Sequence, residues 1–247
     1  MHTLMKGIIL AGGSATRLRP LTKVTSKQLL PVYNKPMIFY PLNTLLRAGI
    51  KEVLIIIAPD YAGHFLHLLG SGKEYNAKFS YEIQESPRGL ADAFIIGEKF
   101  IDDDNVTMIL GDNIFCDDVS KDIRSFEKGG RVFAKKVPDP ERYGVVKFDE
   151  QKNAISITEK PKKWISDYCV TGLYVYDHRV IEFAKNLAPS ARGEIEITDL
   201  NNAYLKLREL DVRFIEGEWF DAGTFDSLLE AGNYASKHKD FFDQPIQ

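Results

Sequence analysis

Lys6-Gly-Ile-Ile-Leu-Ala-Gly-Gly-Ser-Ala-Thr-Arg-Leu18 is the stretch on which the fold turns. Its first six residues read as a short buried strand, and Gly12-Gly13 breaks it. Two glycines let the backbone turn sharply and let a ligand approach the N–H groups. Ser14 and Thr16 add hydroxyls, and Arg17 adds a planar fork suited to phosphate. Lys27, further along the same polar loop, adds a point charge. Residues 1–50 carry Lys6, Arg17, Arg19, Lys23, Lys27, Lys35 and Arg47 and no Asp or Glu. These are the parts of a polyphosphate cradle. The loop has neither the GxxxxGK[ST] spacing of a P-loop nor the later glycines of the dinucleotide fingerprint.

Outward from this loop, apolar positions at Met37, Tyr40, Pro41, Leu45 and Ala48 predict a helix over 37–48, stopped by Gly49. Glu52–Ala58 is an apolar β-branched run of the kind that parallel strands show when both faces are covered. Tyr61–Leu69 reads as a helix, Lys78–Gln84 as a strand, Gly89–Phe100 as a helix and Val106–Leu110 as a third apolar strand. That alternation predicts an α/β fold with a doubly wound, mostly parallel, Rossmann-like sheet. After about residue 130 the rhythm changes. Arg131–Val137, Gly144–Phe148, Ala154–Thr158 and Val170–Tyr176 read as strands with few helices between them, a smaller antiparallel part. Helices at about 179–187 and 194–207, a strand at 212–216 and a last helix over 224–238 complete the chain. No repeat or linker divides it, so the 247 residues read as one domain in two halves, about 1–130 and 131–247.

Composition excludes several classes. Hydrophobic residues make up 44% and charged residues 27%, ordinary globular usage that argues against a disordered or fibrous chain. No apolar stretch approaches the ~20 residues of a membrane span. Met1–Lys6 has no basic run leading into an apolar core, which predicts a cytoplasmic protein. Cys116 and Cys169 have no metal-ligand spacing and read as free thiols. The net charge of −3 combines the acid-free start with a remainder holding 25 basic against 35 acidic side chains. A local anion site explains this better than nucleic-acid binding, which spreads positive charge over a face. The five histidines (His2, His64, His67, His178, His238) read as surface or packing residues.

Further along lie Ser26-Lys-Gln-Leu-Leu-Pro-Val32, Lys35-Pro-Met-Ile38, Gln84-x-x-Pro-x-Gly-Leu-Ala91, Leu110-Gly-Asp-Asn-Ile-Phe115 and Asp139-Pro-Glu-Arg-Tyr-Gly-Val-Val146. Glu159-Lys-Pro161, Val170-Thr-Gly-Leu-Tyr174, Arg192-Gly-Glu-x-Glu-Ile-Thr-Asp199 and Trp219-x-Asp-x-Gly-Thr224 follow. With the opening loop, this series resembles the signature of the sugar-nucleotide pyrophosphorylases, nearest the glucose-1-phosphate thymidylyltransferases, over residues 6 to about 235. The resemblance implies a nucleotide-diphospho-sugar transferase fold with a nucleotide-binding half, then a sugar-binding half with closing helices. It also implies a reaction: a sugar 1-phosphate oxygen attacks the α-phosphorus of dTTP in line, giving dTDP-glucose and pyrophosphate with Mg²⁺. A phosphate monoester with a second pKa near ~6 is already mostly dianionic at neutral pH, so no covalent nucleophile and no general base are called for.

Residue roles follow from the same resemblance. Arg17 and Lys27 match the catalytic pair that grips the α-phosphate and the leaving pyrophosphate. Asp112 and Asp221 match the Mg²⁺-binding aspartates, with Asp112 also counted as catalytic. Leu10, Gly12, Gly13, Ser14, Thr16, Gln28 and Pro87 match the nucleotide-binding set, with Gln84 and Gly89 reading the base. Lys160, catalytic as well, matches the lysine on the sugar phosphate. Gly144 and Glu159 match sugar contacts, and Val170 and Tyr174 either line the sugar or belong to the core. Phe39, Tyr40, Phe65 and Phe94 read as core.

Two departures stand out. The family usually has glycine where this chain has Ala15, a strained substitution if that backbone has φ above zero. Longer members continue into a helical C-terminal segment that contributes to assembly and to a regulatory nucleotide site, and the resemblance is to a short form lacking that segment. The implied partners are dTTP and glucose 1-phosphate in a homo-oligomer, dimer or tetramer, with no nucleic acid and no membrane. Alternatives are UTP or another hexose 1-phosphate, a non-catalytic nucleotide-sugar sensor, or a glycosyltransferase. That last class carries Asp-x-Asp where this chain reads Gly111-Asp112-Asn113.

Overall fold

A computed structural model describes residues 4–13 and 15–242. Two compact units divide the chain at places other than the sequence halves. One comprises Lys6–Pro87, Met108–Arg124 and the chain from Gly217 onward. The other comprises Arg88–Thr107 and Ser125–Glu216, with Leu4 and Met5.

The first unit is built on parallel strands. The strand Met5–Ala11 pairs with Glu52–Ile57, and Glu52–Ile57 with Lys78–Ile83. The registers Ala11↔Ile57 and Ile57↔Ile83 make all three strands end level. Loops leaving that carboxyl edge are where α/β sheets bind ligands. Val53, Leu54, Ile55, Ile56 and Ile57 are all buried, which accounts for the unbroken apolar run. The helix Phe39–Arg47 buries Tyr40, Leu42, Leu45 and Leu46 and tolerates Pro41 in its first turn. A capping box of Thr224 and Ser227 starts the helix Phe225–Lys237. That helix turns Ala231 and Ala235 onto a cluster of Val32, Met37, Tyr40, Ile114, Ala222 and Phe242. The short final helix Lys239–Phe242 ends on side-chain donors, since Lys35 donates to the Phe242 carbonyl at 2.9 Å and Arg47 donates to that of Phe241.

The second unit is a mixed sheet in the order Ala154–Glu159, Gly144–Phe148, Tyr168–Tyr176, Gly130–Lys136, Leu210–Ile215. All its neighbours pair antiparallel except the last two strands, which run parallel. Helices Val180–Asn186 and Ile197–Lys206 cross between the Tyr168–Tyr176 and Leu210–Ile215 strands. The parallel α/β part and the antiparallel-rich part are therefore both present.

Two helix predictions were too long, for one shared reason. The predicted helix 89–100 is two short helices, Asp92–Ile96 and Glu98–Ile101, with Gly89 at φ 106° ahead of them. The predicted helix 194–207 begins only at Ile197. The backbone of Ile195 takes both segments: its N–H donates to the Arg88 carbonyl at 2.7 Å, and its carbonyl accepts from Ala91 at 3.3 Å. Tertiary pairing overrides local propensity at these ends. Four pieces without enough length to show periodicity were not predicted: the Pro31–Val32/Lys35–Pro36 and Asn113–Phe115/Trp219–Asp221 pairs and the helices Ser120–Arg124 and Lys239–Phe242.

Asp177 anchors the turn before Val180–Asn186. It accepts hydrogen bonds from the Gly129 N–H at 2.8 Å, the Tyr204 hydroxyl at 3.0 Å and the Arg179 guanidinium at 2.6 Å. Burial alone would push its carboxyl up, but these donors outweigh it and hold the carboxyl below the usual range. A depressed native pKa stabilises fully above the unfolded value of about 3.9 and fades as pH falls through the native value. The urea-midpoint difference between the wild type and Asp177→Asn is therefore expected to be constant above about pH 5 and to shrink below about pH 4. A gap that does not narrow on acidification contradicts the assignment.

Candidate active site

The glycine loop leaves the level edge of the parallel unit. Leu10 and Gly12 are buried, and Gly13, Thr16 and Arg17 are exposed; Ser14 lies outside the described residues. Ala15 adopts φ 48°, ψ 36°, the left-handed region anticipated for a glycine position. Its carbonyl accepts from Leu18 N at 3.2 Å and from the Thr22 hydroxyl at 2.7 Å, and the turn Thr16–Leu18 follows. These bonds hold an alanine where L-residues lose about 1–2 kcal/mol.

Two glutamines pack beneath the loop, both buried. Gln84 follows the end of Lys78–Ile83, its N–H bonded to the Ile57 carbonyl at 2.9 Å. A Cβ on Gly12 would lie 2.5 Å from Gln84 Oε1, so the glutamine amide lies against bare backbone. Gln28 sits in the turn Lys27–Leu29, and the Ser26 hydroxyl donates to its Oε1 at 2.6 Å. That leaves each amide oriented by backbone or hydroxyl rather than loose in solvent. Pro87 ends this segment of the unit, exposed.

The charged centre comes from short elements far apart in sequence. Lys27 forms an ion pair with Asp112 Oδ2, both side chains mostly buried. Asn113 Nδ2 donates to Asp112 Oδ1 at 3.1 Å, and Trp219 Nε1 donates to Asn113 Oδ1 at 2.8 Å. Burial would push the Asp112 carboxyl up, but the Lys27 ammonium and these hydrogen bonds outweigh it and hold it below the usual carboxylate range. Asp221 pairs in register with Asn113, and the Ala222 N–H donates to the Asp112 carbonyl at 2.9 Å. Asp221 Oδ1 and Arg17 Nη2 lie 2.9 and 2.8 Å from the point where a Cβ on Gly223 would sit. Lys27 and Asp112 thus form an ion pair, and the ends of Arg17 and Asp221 both border the bare backbone of Gly223.

This donor set fits Mg²⁺, which takes one or two carboxylates and completes its shell with phosphate oxygens and water. Among the described residues no three His, Cys, Asp or Glu side chains cluster as an all-protein metal cage. Asp221 ends the strand that pairs with Asn113–Phe115, and Asp112 immediately precedes Asn113, so both residues stand at the same end of the pair.

In the mixed-sheet unit, Glu159 ends its strand and Lys160 follows at φ 42°, its N–H bonded to the Tyr143 carbonyl at 2.9 Å. A non-glycine residue held in the left-handed region is a strained position of the kind that clusters at functional sites. Glu159 Oε2 accepts from the Thr198 hydroxyl at 2.7 Å, and its Oε1 lies 3.5 Å from Lys160 Nζ and from Arg192 Nη2. Gly144 lies alongside, its absent Cβ position 3.0 Å from Thr198 Oγ1 and 3.5 Å from Glu159 Oε2. Gly89 belongs to this unit, against the Ile195 backbone. Val170 and Tyr174 are buried in the strand Tyr168–Tyr176, on either side of a register shift against Gly130–Lys136. Such bulges re-aim side chains and recur near active sites. Asn113, Arg192, Thr198 and Trp219 stood in the quoted motifs without a role. No local signal assigns them one, since each acts through a partner distant in sequence.

The remaining readings have plain outcomes. Cys116 and Cys169 are not joined in a disulfide, Tyr40, Phe65 and Phe94 are core, and Phe39 is half-buried against Tyr75. His64, His67, His178 and His238 are exposed; His2 lies outside the described residues.

Level strand ends, a glycine loop against a buried glutamine and a lysine–aspartate ion pair define a phosphate-handling α/β protein. The chain belongs to the nucleotidyl transferase family, whose model matches residues 6–238. It is 53% identical over 236 residues to the glucose-1-phosphate thymidylyltransferase of Neisseria meningitidis, covering 93% of this chain and 82% of that one. It is 50% identical to the enzyme of that name from Mycolicibacterium smegmatis, with 93% and 82% covered. A Bacillus anthracis protein assigned to the glucose-1-phosphate thymidylyltransferases, solved with sucrose, superposes with a TM-score of 0.89 at 45% identity, covering 94% and 95%.

Two substitutions probe the loop geometry. Ala15→Gly relieves left-handed strain but loosens the unfolded chain, so a net gain of about 0.5–1 kcal/mol is expected, a rise of roughly 2 °C in thermal midpoint. A lowered midpoint contradicts the strain assignment. Gly223→Ala places a methyl against the flexible end of Arg17, so the midpoint should hold while turnover falls at least about tenfold. Wild-type turnover in that variant means Arg17 has no fixed place in the chemistry.

Proposed function

We propose that this chain is a glucose-1-phosphate thymidylyltransferase, joining dTTP and α-D-glucose 1-phosphate into dTDP-glucose with release of pyrophosphate. The observation that carries the reading is the ion pair of Lys27 with Asp112, with Arg17 and Asp221 both bordering Gly223. The identity to enzymes of that name supports the substrates.

Lys27 and Arg17 hold the nucleotide phosphates and offset the charge that develops on the transferring group. Gln28 and the loop backbone fix the nucleotide, and the Gln84 amide meets the donor and acceptor edge of the pyrimidine. Lys160 holds the sugar phosphate as a point charge, and Glu159, kept in place by Thr198, accepts from sugar hydroxyls. Asp112 and Asp221 would hold Mg²⁺, which when bound neutralises phosphate oxygens. The attacking oxygen is already anionic, so catalysis is positioning and electrostatics rather than proton transfer. In this reading the enzyme is a cytoplasmic homo-oligomer. Two cysteines outside any disulfide fit that setting, and no helix among the described residues is long and apolar enough to cross a membrane.

The test is pyrophosphate release with Mg²⁺, crossing dTTP, UTP, ATP, CTP and GTP against glucose 1-phosphate and other hexose 1-phosphates. A dominant rate for dTTP with glucose 1-phosphate is expected. A dominant rate for another pair overturns the substrates and keeps the chemistry, and no release with any pair overturns both.

A further inference from the structure

Both carboxylate oxygens of Asp112 already have protein partners. Oδ2 is held by the Lys27 ammonium and Oδ1 by Asn113 Nδ2 at 3.1 Å. The two partners differ in freedom. The indole N–H of Trp219 can only donate, and it donates to Asn113 Oδ1 at 2.8 Å, so the amide nitrogen of Asn113 must face Asp112. Asn113 is itself only 2% exposed. Lys27, by contrast, reaches Asp112 on a flexible four-carbon stem and carries a compact charge that serves carboxylate or phosphate oxygen equally well. Asp112 is 8% exposed, and a buried carboxylate does not persist without a counter-charge. A divalent cation and an ammonium on the same carboxylate oxygen repel each other strongly where water is scarce.

We propose that Lys27 is the built-in counter-cation of Asp112, and that a divalent cation ligates Asp112 only in exchange for that ammonium. The idea rests on the reading of Asp112 as a metal ligand. It gives Lys27 two alternating partners: the carboxylate before the metal enters, and nucleotide phosphate afterwards. Metal alone then binds poorly, because nothing takes up the displaced ammonium. Nucleotide phosphates do take it up, so cation and nucleotide bind with positive coupling. The fixed Asn113–Trp219 pair keeps the carboxylate aimed throughout the exchange.

The experiment is Mn²⁺ binding to the full chain without nucleotide, read from the electron paramagnetic resonance of free Mn²⁺, for the wild type, Lys27→Met and Asp112→Asn. Lys27→Met is expected to bind Mn²⁺ at least about tenfold more tightly than the wild type, and Asp112→Asn to lose that binding. Equal binding by the wild type and Lys27→Met, lost in Asp112→Asn, overturns the exchange and keeps Asp112 as a ligand. No binding by any of the three overturns both. Should Lys27→Met fail to fold, acylation of Lys27 in the wild type, read by mass spectrometry, decides the question. The amine should be protected at first and become reactive as Mn²⁺ is added. Reactivity unchanged at saturating Mn²⁺ overturns the proposal.

Discussion

The antiparallel pairing of Asn113–Phe115 with Trp219–Asp221 is the constraint on which the charged centre depends. It joins pieces of chain 106 residues apart through the Trp219–Asn113 hydrogen bond. The strands have three residues each, too few to be stable alone. They persist because Ile114 and Ala222 belong to the apolar cluster with Val32, Met37, Tyr40 and Phe242. Burial in that cluster fixes the register, and the register sets Asp221 opposite Asn113 and next to Asp112. A slip of one residue would turn every side chain of Trp219–Asp221 to the other face. The chemistry of the centre is thus an outcome of apolar packing one layer below it.

Elements with a long repeating pattern were legible in the sequence. The run Val53–Ile57 has the pattern of a parallel strand covered on both faces, and it is buried along its length. The last helix, read over 224–238, runs from Phe225 to Lys237. Where a predicted helix began too early, a tertiary partner had taken over the backbone. Ile195 removed the first turns of two helices at once. Individual site residues were legible only through the series of motifs. Nothing within residues 105–115 says that the carboxylate of Asp112 will meet a lysine 85 positions earlier. Asn113 and Trp219 carried no signal at all, because their contribution is to orient a neighbour.

Close approach explains several small residues that propensity alone would leave unexplained. Gly12 is needed because the Gln84 amide occupies the space of a side chain, and Gly223 because Arg17 and Asp221 do. Arg17 is exposed, but the Gln84 amide is a polar group held without solvent around it. Such a group stays where it is put, and binding then costs less ordering entropy. The unit is organised before any ligand arrives.

Lys160 sets local backbone geometry against side-chain chemistry. Its φ of 42° belongs to glycine by sterics, while its position beside Glu159 calls for an ammonium. Any procedure that ranks substitutions by folding stability will therefore favour glycine there. A lineage or a library selected for heat resistance alone would drift toward it, gaining robustness as it discarded the group assigned to the sugar phosphate. The lysine at this strained turn is a choice that only selection for turnover can maintain.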